Sequence, residues 1–314
     1  MERFYSNGKL LLIGEYLVLD GALSLAIPTK YGQSLNIEAI EASKLVWKSL
    51  DEKENIWFKD EFLIGETIKS RSVDSSNDIS ERLIQILNIA KKLNPNFLNT
   101  ENGFKVTTRL DFPRQWGLGT SSTLINNIAQ WANVDPYQLL KQSFDGSGYD
   151  IACAKHSLPI TYQLFVKTNE VSCDTQNNTR AIKEIAFNPS FKDHLYFVYL
   201  NQKQNSRDGI ARYKNNISDL SESISTISTI TQNIILCKTL DEFILLIEKH
   251  EYIISKIIHQ DPIKKRLFSD FNGGIKSLGA WGGDFVLAAS KNNPTGYFKK
   301  KGYQTVISFE NMIL

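Results

Sequence analysis

Gly117-Leu118-Gly119-Thr120-Ser121-Ser122 is the stretch of this 314-residue chain that says most about its fold. Two glycines and three hydroxyl side chains lead directly into residues 123–131, which have the composition of a buried helix. Glycine lets a backbone approach an anion closely, and the first amides of a helix are unpaired donors at its positive end. A hydroxyl at such a position can also coordinate a magnesium ion. The stretch therefore indicates a turn that binds polyphosphate.

The same stretch, taken alone, has a second interpretation. A glycine-rich turn before a helix is often an ordinary loop in which Ser or Thr caps the helix. No Lys follows the second glycine as a Walker A loop requires, and the glycines do not form a dinucleotide-binding fingerprint. The choice between a loop and an anion site depends on the rest of the chain.

Composition limits the class of protein. With 42% hydrophobic and 22% charged residues, the chain is expected to be a soluble protein of two domains. A formal net charge of +2 gives no field that favours nucleic acid or an anionic membrane as a partner. Cys153, Cys173 and Cys237 are widely spaced and odd in number, which indicates neither a disulfide framework nor a zinc site. The chain has no apolar run long enough for a membrane span and no signal-peptide pattern, so the expected location is the cytoplasm. Whether the chain forms a homodimer is left open by the sequence.

Hydrophobic spacing predicts an irregular alternation of strands and helices, which favours an α+β fold over a doubly wound parallel sheet. The runs at residues 10–13 and 16–19, closed by Asp20-Gly21, predict a bent strand or a hairpin. A polar segment at residues 167–180 indicates a boundary or an exposed hairpin, so we expect domains at 1–175 and 176–314. Further strands are predicted at 34–39, 45–47, 104–110, 194–200, 285–289 and 305–309, and helices at 79–93, 123–131, 136–144, 217–236 and 240–258.

Three more segments carry polar residues on flexible backbone. Gly279-Ala280-Trp281-Gly282-Gly283-Asp284 precedes an apolar strand, although tight turns before strands look similar. Gly148-Tyr149-Asp150 places a carboxylate where it is either a helix cap or a positioned base. Gly8-Lys9 leads a strand that ends at Gly14-Glu15, and an exposed Lys there would be unremarkable. Each segment is weak by itself.

Together and in this order, the four segments resemble the motifs of the GHMP family of small-molecule kinases, named for galactokinase, homoserine, mevalonate and phosphomevalonate kinases. Residues 8–16 look like the first motif and residues 113–122 like the phosphate-binding second, with Thr120 where Ser is usual. Residues 276–284 look like the third motif, with Trp281 in place of a glycine. Residues 148–152 are similar to the subgroup labelled GYDIA. The resemblance spans nearly the whole chain.

The resemblance implies an N-terminal domain like domain 2 of ribosomal protein S5, a ferredoxin-like C-terminal domain, and use of ATP and Mg²⁺. It also implies a role for each matching residue. Asp150 would orient or deprotonate the acceptor, Lys9 would stabilise charge near the transferred group, and Ser121 would bind the metal. Phosphate binding would fall to Gly117, Leu118, Gly119, Thr120, Ser121 and Ser122, and the acceptor side to Gly279, Ala280, Trp281, Gly282 and Gly283. An indole at Trp281 would narrow the acceptor side.

The branch of the family is decided by smaller features. Mevalonate kinases usually supply a magnesium-binding Glu upstream of the catalytic Asp, and residues 131–148 contain no Glu. Gly283-Asp284 looks more like phosphomevalonate kinases. Lys203 and Arg207 match a segment that would bind an acidic substrate, and they also suit a solvated loop. We therefore expect a kinase acting on mevalonate or phosphomevalonate. The alternatives are a homoserine or sugar kinase, or a non-catalytic relative that binds nucleotide.

Overall fold

The computed structural model of this chain describes residues 1–71, 78–99, 102–144, 146–165, 180–202, 206–215, 219–279, 281 and 284–314, without the side chains of residues 206–208 and 212. The chain divides into two compact units. The first consists of Met1–Gly8, Tyr31–Arg114 and Leu118–Lys155, and the second of Lys9–Lys30, Gln115–Gly117 and His156–Leu314. Within the described ranges, no helix is both long enough and apolar enough to span a bilayer.

Strands and helices alternate along the chain, as the hydrophobic spacing predicts. The strands are β1 (Glu2–Ile13), β2 (Ser24–Ile40), β3 (Lys44–Leu50), β4 (Ile56–Leu63), β5 (Lys69–Ser70), β6 (Gly103–Leu110), β7 (Ile160–Leu164), β8 (Arg180–Glu184), β9 (Leu195–Tyr199), β10 (Gly274–Ser277), β11 (Phe285–Ala289) and β12 (Val306–Ser308). The helices are α1 (Asp78–Leu93), α2 (Thr120–Ala132), α3 (Pro136–Ser143), α4 (Tyr149–Lys155), α5 (Ser206–Asn215), α6 (Ser221–Leu236), α7 (Leu240–Ile257), α8 (Ile263–Leu267), α9 (Thr295–Lys300) and α10 (Phe309–Met312). Short 3-10 turns occur at Leu17–Asp20, Arg114–Trp116 and Lys192–His194.

The first unit packs helices on one face of a sheet. Its strands lie in the order β5-β4-β3-β6-β2, with β3 parallel to β6 and the other neighbours antiparallel. Leu45 and Trp47 of β3 alternate with partly exposed residues, so one face of this strand is buried. They join a single apolar cluster with residues of α1 and α2, among them Leu87 and Ile128. This core holds α2, the helix that follows the glycine-rich turn.

The second unit contains an antiparallel sheet in the order β10-β11-β9-β12. Every residue of β11 is buried, which explains its unbroken apolar sequence. Helix α7 packs on β10, and α6 packs on α7. In the same unit, Ser24–Ala26 of β2 pair with β7, and β7 pairs antiparallel with β8. The segment between β7 and β8, with the predicted boundary after residue 175, lies outside the described residues, so that boundary stays a prediction.

Most of the predicted elements are present within one to four residues of their expected ends. The prediction of a strand at residues 16–19 is wrong, because Leu17–Asp20 form a 3-10 turn. Gly14 and Tyr16 have φ of +104° and +63°, which turn the chain away from the extended direction, and Gly21 closes the turn in the left-handed region. At the C-terminal end, the strand predicted for 305–309 stops at Ser308, because Phe309 begins α10.

Candidate functional site

The glycine-rich turn delivers a helix whose first amides lack a side-chain cap. Gly119 occupies the N-cap position of α2 in the left-handed region, at φ 94°, and as a glycine it has no side chain to cap the first turn. The expectation of a Ser or Thr cap is therefore wrong, whereas the anion site stays a prediction. Uncapped amides at the positive end of a 13-residue helix can bind an anion.

The hydroxyl groups of the first turn of α2 differ in what they contact. Ser122 is buried and donates to the Gly119 carbonyl at 2.9 Å, and Thr123 donates to Gln33 Oε1 at 2.7 Å. Ser121 is exposed, and its hydroxyl makes no hydrogen bond within the described part of the chain. Thr120 is half-buried. Ser121 is thus the hydroxyl of this turn that a ligand can reach directly.

Buried polar contacts fix the orientation of α2 within the first unit. Asn127 Nδ2 donates to the Gln33 carbonyl at 2.9 Å, and Ser6 Oγ donates to Asn127 Oδ1 at 2.7 Å. Both groups of Asn127 are satisfied in a dry environment, where an unpaired amide would be costly. The helix is therefore anchored to the neighbouring strands by specific bonds as well as by apolar packing.

Asp150 lies in the first turn of α4, a helix that packs against α2 within the first unit. Its side chain is half-buried, and Oδ1 accepts from the Ile151 amide at 3.1 Å. The residue is part of the helix instead of preceding it, so it is not the N-cap. The first unit thereby carries both the uncapped turn with Ser121 and the carboxylate of Asp150.

In the second unit, the side chains of Lys9 and Asp284 both lie close to the first glycine of the turn. Lys9 Nζ donates to the Gly117 carbonyl at 3.1 Å. A Cβ on Gly117 would lie 2.4 Å from Asp284 Oδ2, so the carboxylate occupies the space that a side chain would need. A Cβ on Gly279 would lie 3.4 Å from the same Asp284 Oδ2. Asp284 thus lies beside both Gly117 and Gly279, a proximity that sequence reasoning missed.

The rest of the third segment is partly described. Gly279 has φ +64° and Trp281 has φ +58°, a left-handed conformation that is uncommon for a bulky side chain. The indole of Trp281 is 1% exposed, so it is a core side chain of the second unit in this structure, in contrast to the expectation of an indole that faces an acceptor. Gln260 Nε2 donates a hydrogen bond to the backbone carbonyl of Trp281 at 2.6 Å. Ala280, Gly282, Gly283 and Lys203, together with the side chain of Arg207, lie outside the described residues.

Sequence reasoning also missed a buried charged group in the second unit, which we call the Lys276 cluster (Glu15, His250, Glu251, Lys276 and Ser277). Lys276 is fully buried, and its Nζ donates to Glu15 Oε1 at 2.5 Å. Ser277 Oγ donates to Glu251 Oε2 at 2.8 Å. Glu15 and Lys276 were visible only as members of the first and third segments, because their separation of 261 residues leaves no local signal.

Comparisons with known proteins bear on the fold. No protein-family model and no curated protein matches the chain. Solved structures match nearly all of it. The mevalonate kinase of Methanococcus jannaschii is 16% identical, with 97% of this chain and 96% of that chain covered and a TM-score of 0.68. The phosphomevalonate kinase of Streptococcus pneumoniae, in complex with phosphomevalonate and AMPPNP, is 17% identical. The match covers 96% of this chain and 95% of that chain, with a TM-score of 0.67. The galactokinase of Lactococcus lactis, complexed with galactose, is 14% identical. The match covers 100% of this chain and 93% of that chain, with a TM-score of 0.63.

This chain has the fold of the GHMP kinases. The resemblance seen in the four sequence segments is therefore confirmed for the fold. Identities of 14–17% carry no residue-level assignment, so the roles of Lys9, Ser121 and Asp150 stay predictions.

A GHMP-type kinase would need Mg²⁺ beside the phosphates, and the residues present suit a metal held mostly by the nucleotide. Among the described residues, no group of three or more His, Cys, Asp or Glu side chains could hold a metal ion. Magnesium usually keeps several waters and takes one or two protein ligands plus substrate phosphates. The exposed Ser121 hydroxyl beside uncapped amides fits that arrangement.

Proposed function

We propose that the protein is an ATP- and Mg²⁺-dependent small-molecule kinase, built from an S5 domain 2-like and a ferredoxin-like domain, that phosphorylates a small acidic acceptor. The uncapped N-terminus of α2 is the observation that carries this proposal. Its amides and the left-handed Gly119 offer fixed donors to phosphate oxygens, and such donors need no reorganisation when charge moves. A structural neighbour solved with AMPPNP supports the choice of nucleotide.

Phosphoryl transfer asks the protein mainly for positioning and charge stabilisation. The amides of residues 120–122 would bind the ATP phosphates, and Ser121 would hold Mg²⁺, which neutralises charge on the phosphate oxygens. Asp150 would accept the proton of the acceptor hydroxyl or orient it. Lys9, already fixed on the Gly117 carbonyl, would place a positive charge near the transferred group.

Mevalonate or phosphomevalonate is the acceptor that we propose. The third segment, with Asp284 following Gly283, and the absence of Glu between Trp131 and Gly148 support the phosphomevalonate branch. Lys203 and Arg207 would pair with an acidic acceptor. A sugar or homoserine kinase is the second candidate, because a galactokinase is among the structural neighbours.

The first experiment measures ATP consumption by the purified protein with Mg²⁺ and a panel of mevalonate, phosphomevalonate, homoserine and common sugars. Turnover with mevalonate or phosphomevalonate supports the proposal, and turnover with a sugar or homoserine moves the protein to another branch. ATP binding without turnover on any acceptor would contradict the kinase assignment and favour a nucleotide-binding relative.

Asp150→Asn tests the catalytic assignment. We expect kcat to fall by about 10²- to 10⁴-fold, the range usual for an acid–base group, while the affinity for ATP stays within a factor of about two. Asp261→Asn, which removes an exposed carboxylate paired with Lys265, is the control and should leave kcat unchanged. Unchanged turnover in Asp150→Asn would remove this residue from the mechanism.

A further inference from the structure

The Lys276 cluster connects two sequence motifs inside the second unit. Glu15 lies in the turn after β1, His250 and Glu251 lie on α7, and Lys276 begins the third motif on β10. None of these side chains is more than 3% exposed. Besides its contact with Glu15, Lys276 Nζ donates to the Ser277 carbonyl at 2.8 Å and lies 3.8 Å from Glu251 Oε1. The proposed function does not by itself explain this cost of burial.

Charge balance requires a proton in the cluster. His250 is neutral, because its Nε2 accepts the Gly14 amide at 3.1 Å and because burial and the charge of Lys276 hold its pKa well below the usual range. Two ionised carboxylates and one ammonium would then leave a net negative charge away from solvent, which is energetically costly. One protonated carboxyl group makes the cluster neutral.

Glu251 is the carboxyl group that keeps the proton. Burial raises the pKa of both carboxyls against the opposing effect of Lys276, to about 7 for Glu15 and about 8 for Glu251. Lys276 lies closer to Glu15, so Glu15 ionises first. Each carboxyl group has one oxygen without a hydrogen-bond partner among the described residues: Glu15 Oε2 lies 3.2 Å from His250 Nε2, and Glu251 Oε1 lies 4.0 Å from His250 Nδ1. The distance to the Lys276 ammonium is therefore what distinguishes the two carboxyls.

The other elements around Glu251 add no charge that replaces this proton. Glu248 and Lys264, which line a cavity of about 330 Å³ with Glu251, pair with each other at 2.7 Å. Lys265 lines the same cavity and pairs with Asp261. Helix α6 contributes only Glu222, which is exposed, and β11 is apolar.

We infer that Lys276 is a positioning residue for the proposed phosphoryl transfer, holding the Gly14–Glu15 turn against the start of the third motif while Glu251 carries the balancing proton. The inference rests on the proposed function. The turn follows the strand that carries Lys9, and β10 leads to Gly279 and Asp284, whose carboxylate lies against Gly117. Lys276 thus acts on the reacting groups through the two segments that it joins.

Amide hydrogen exchange tests the positioning without any need for turnover. The double variant Lys276→Met/Glu15→Gln removes both charges together, so no unpaired ion stays buried. We expect exchange at Gly14 and at residues 276–278 to accelerate by about tenfold or more, with β6 of the first unit as an internal reference. Unchanged exchange at both places would overturn the inference.

An infrared pH titration tests the proton. Wild-type protein should lose the carbonyl stretch of protonated carboxylic acids in two steps, near pH 7 for Glu15 and near pH 8 for Glu251. Glu251→Gln should lack the step near pH 8, and Glu248→Gln, a matched change three residues earlier on α7, should keep it. Absence of the step near pH 8 in wild type, or its persistence in Glu251→Gln, would overturn the assignment. Glu251→Gln also keeps the Lys276–Glu15 pair, so the test stands if the double variant fails to fold.

Turnover then separates positioning from stability. In a folded Lys276→Met/Glu15→Gln protein we expect kcat to fall by about 10- to 100-fold, since small misplacements at a reacting centre are costly. Wild-type kcat should also fall as pH rises past about 8, and Glu251→Gln should lack this decline. A kcat of the double variant equal to that of the wild-type protein would overturn the inference. If the wild-type protein turns over no acceptor, only the proposed function is overturned. Amide hydrogen exchange and infrared spectroscopy still test the contacts and the proton of the Lys276 cluster.

Discussion

Gly117 is constrained by a neighbour and not only by its backbone angles. Its φ of +67° disfavours a side chain, and the carboxylate of Asp284 fills the Cβ position. We expect Gly117→Ala to destabilise the protein by roughly 2–3 kcal/mol, from the backbone penalty and the clash together. Asp284→Ala in the same chain should recover the part due to the clash, whereas the isosteric Asp284→Asn should not. Urea unfolding of the single and double variants measures this coupling, and strictly additive losses would contradict it.

Ser121 offers a separate test at the level of one hydroxyl. If this exposed group holds Mg²⁺, Ser121→Ala should weaken binding of the magnesium–ATP complex by about tenfold. Binding of ATP without metal should not change, and Ser121→Thr, which keeps a hydroxyl, should bind like wild type. Calorimetric titrations with and without Mg²⁺ provide both affinities. An equal loss under the two conditions would place the hydroxyl outside the metal site.

Helix ends in the first unit obey local rules and can be tested in the same way. Asp135 Oδ1 accepts the Tyr137 amide at 2.8 Å, and Pro136 occupies the first position of α3. We expect Asp135→Ala to lower the free energy of unfolding by about 1 kcal/mol, since an orphan amide loses its acceptor. Asp135→Ser should keep most of the stability. Equal stability of all three proteins in urea would show that α3 is held by packing alone.

Elements with a strong local signal were predictable, and those fixed by backbone turns were not. The cap and proline at 135–136 marked the start of α3, and Asn94-Pro95 marked the end of α1. In contrast, residues 16–19 have a strand-like composition but form a 3-10 turn, because the positive φ of Tyr16 is not encoded by residue type as glycine would encode it. The motif segments predicted the fold because their order along the chain carries the information.

At the scale of the whole molecule, the contacts that sequence patterns fail to predict are those between residues far apart along the chain. Lys276 and Glu15 are 261 residues apart, and each looks like an ordinary surface residue in its own segment. Asp284 and Gly117 are likewise distant, although both belong to recognised segments. Neither hydrophobic periodicity nor motif spacing reports such pairs, since both are local in sequence. The candidate site was therefore predictable as a set of segments but not as a set of contacts.

The buried carboxyls make stability itself depend on pH. Burial raises the pKa of Glu15 and Glu251 in the folded state, so between pH 6.5 and 8 the folded protein binds more protons than the unfolded chain. That contribution is complete below the ordinary carboxyl pKa and is lost as pH rises towards 8. His250, whose pKa is lowered, acts in the opposite direction and only below about 6.5.

We therefore expect the free energy of unfolding to fall from pH 6.5 to 8 by up to about 1.4 kcal/mol per pH unit for each proton that the folded state retains. Urea unfolding at several pH values measures the slope. Glu251→Gln should reduce the slope to the part due to Glu15, and Glu248→Gln should leave it unchanged, because Glu248 is paired and partly exposed on the same helix. A wild-type stability that is constant or rises across this interval would mean that Glu251 is ionised in the folded protein, and Lys276 would then have to balance two buried carboxylates alone.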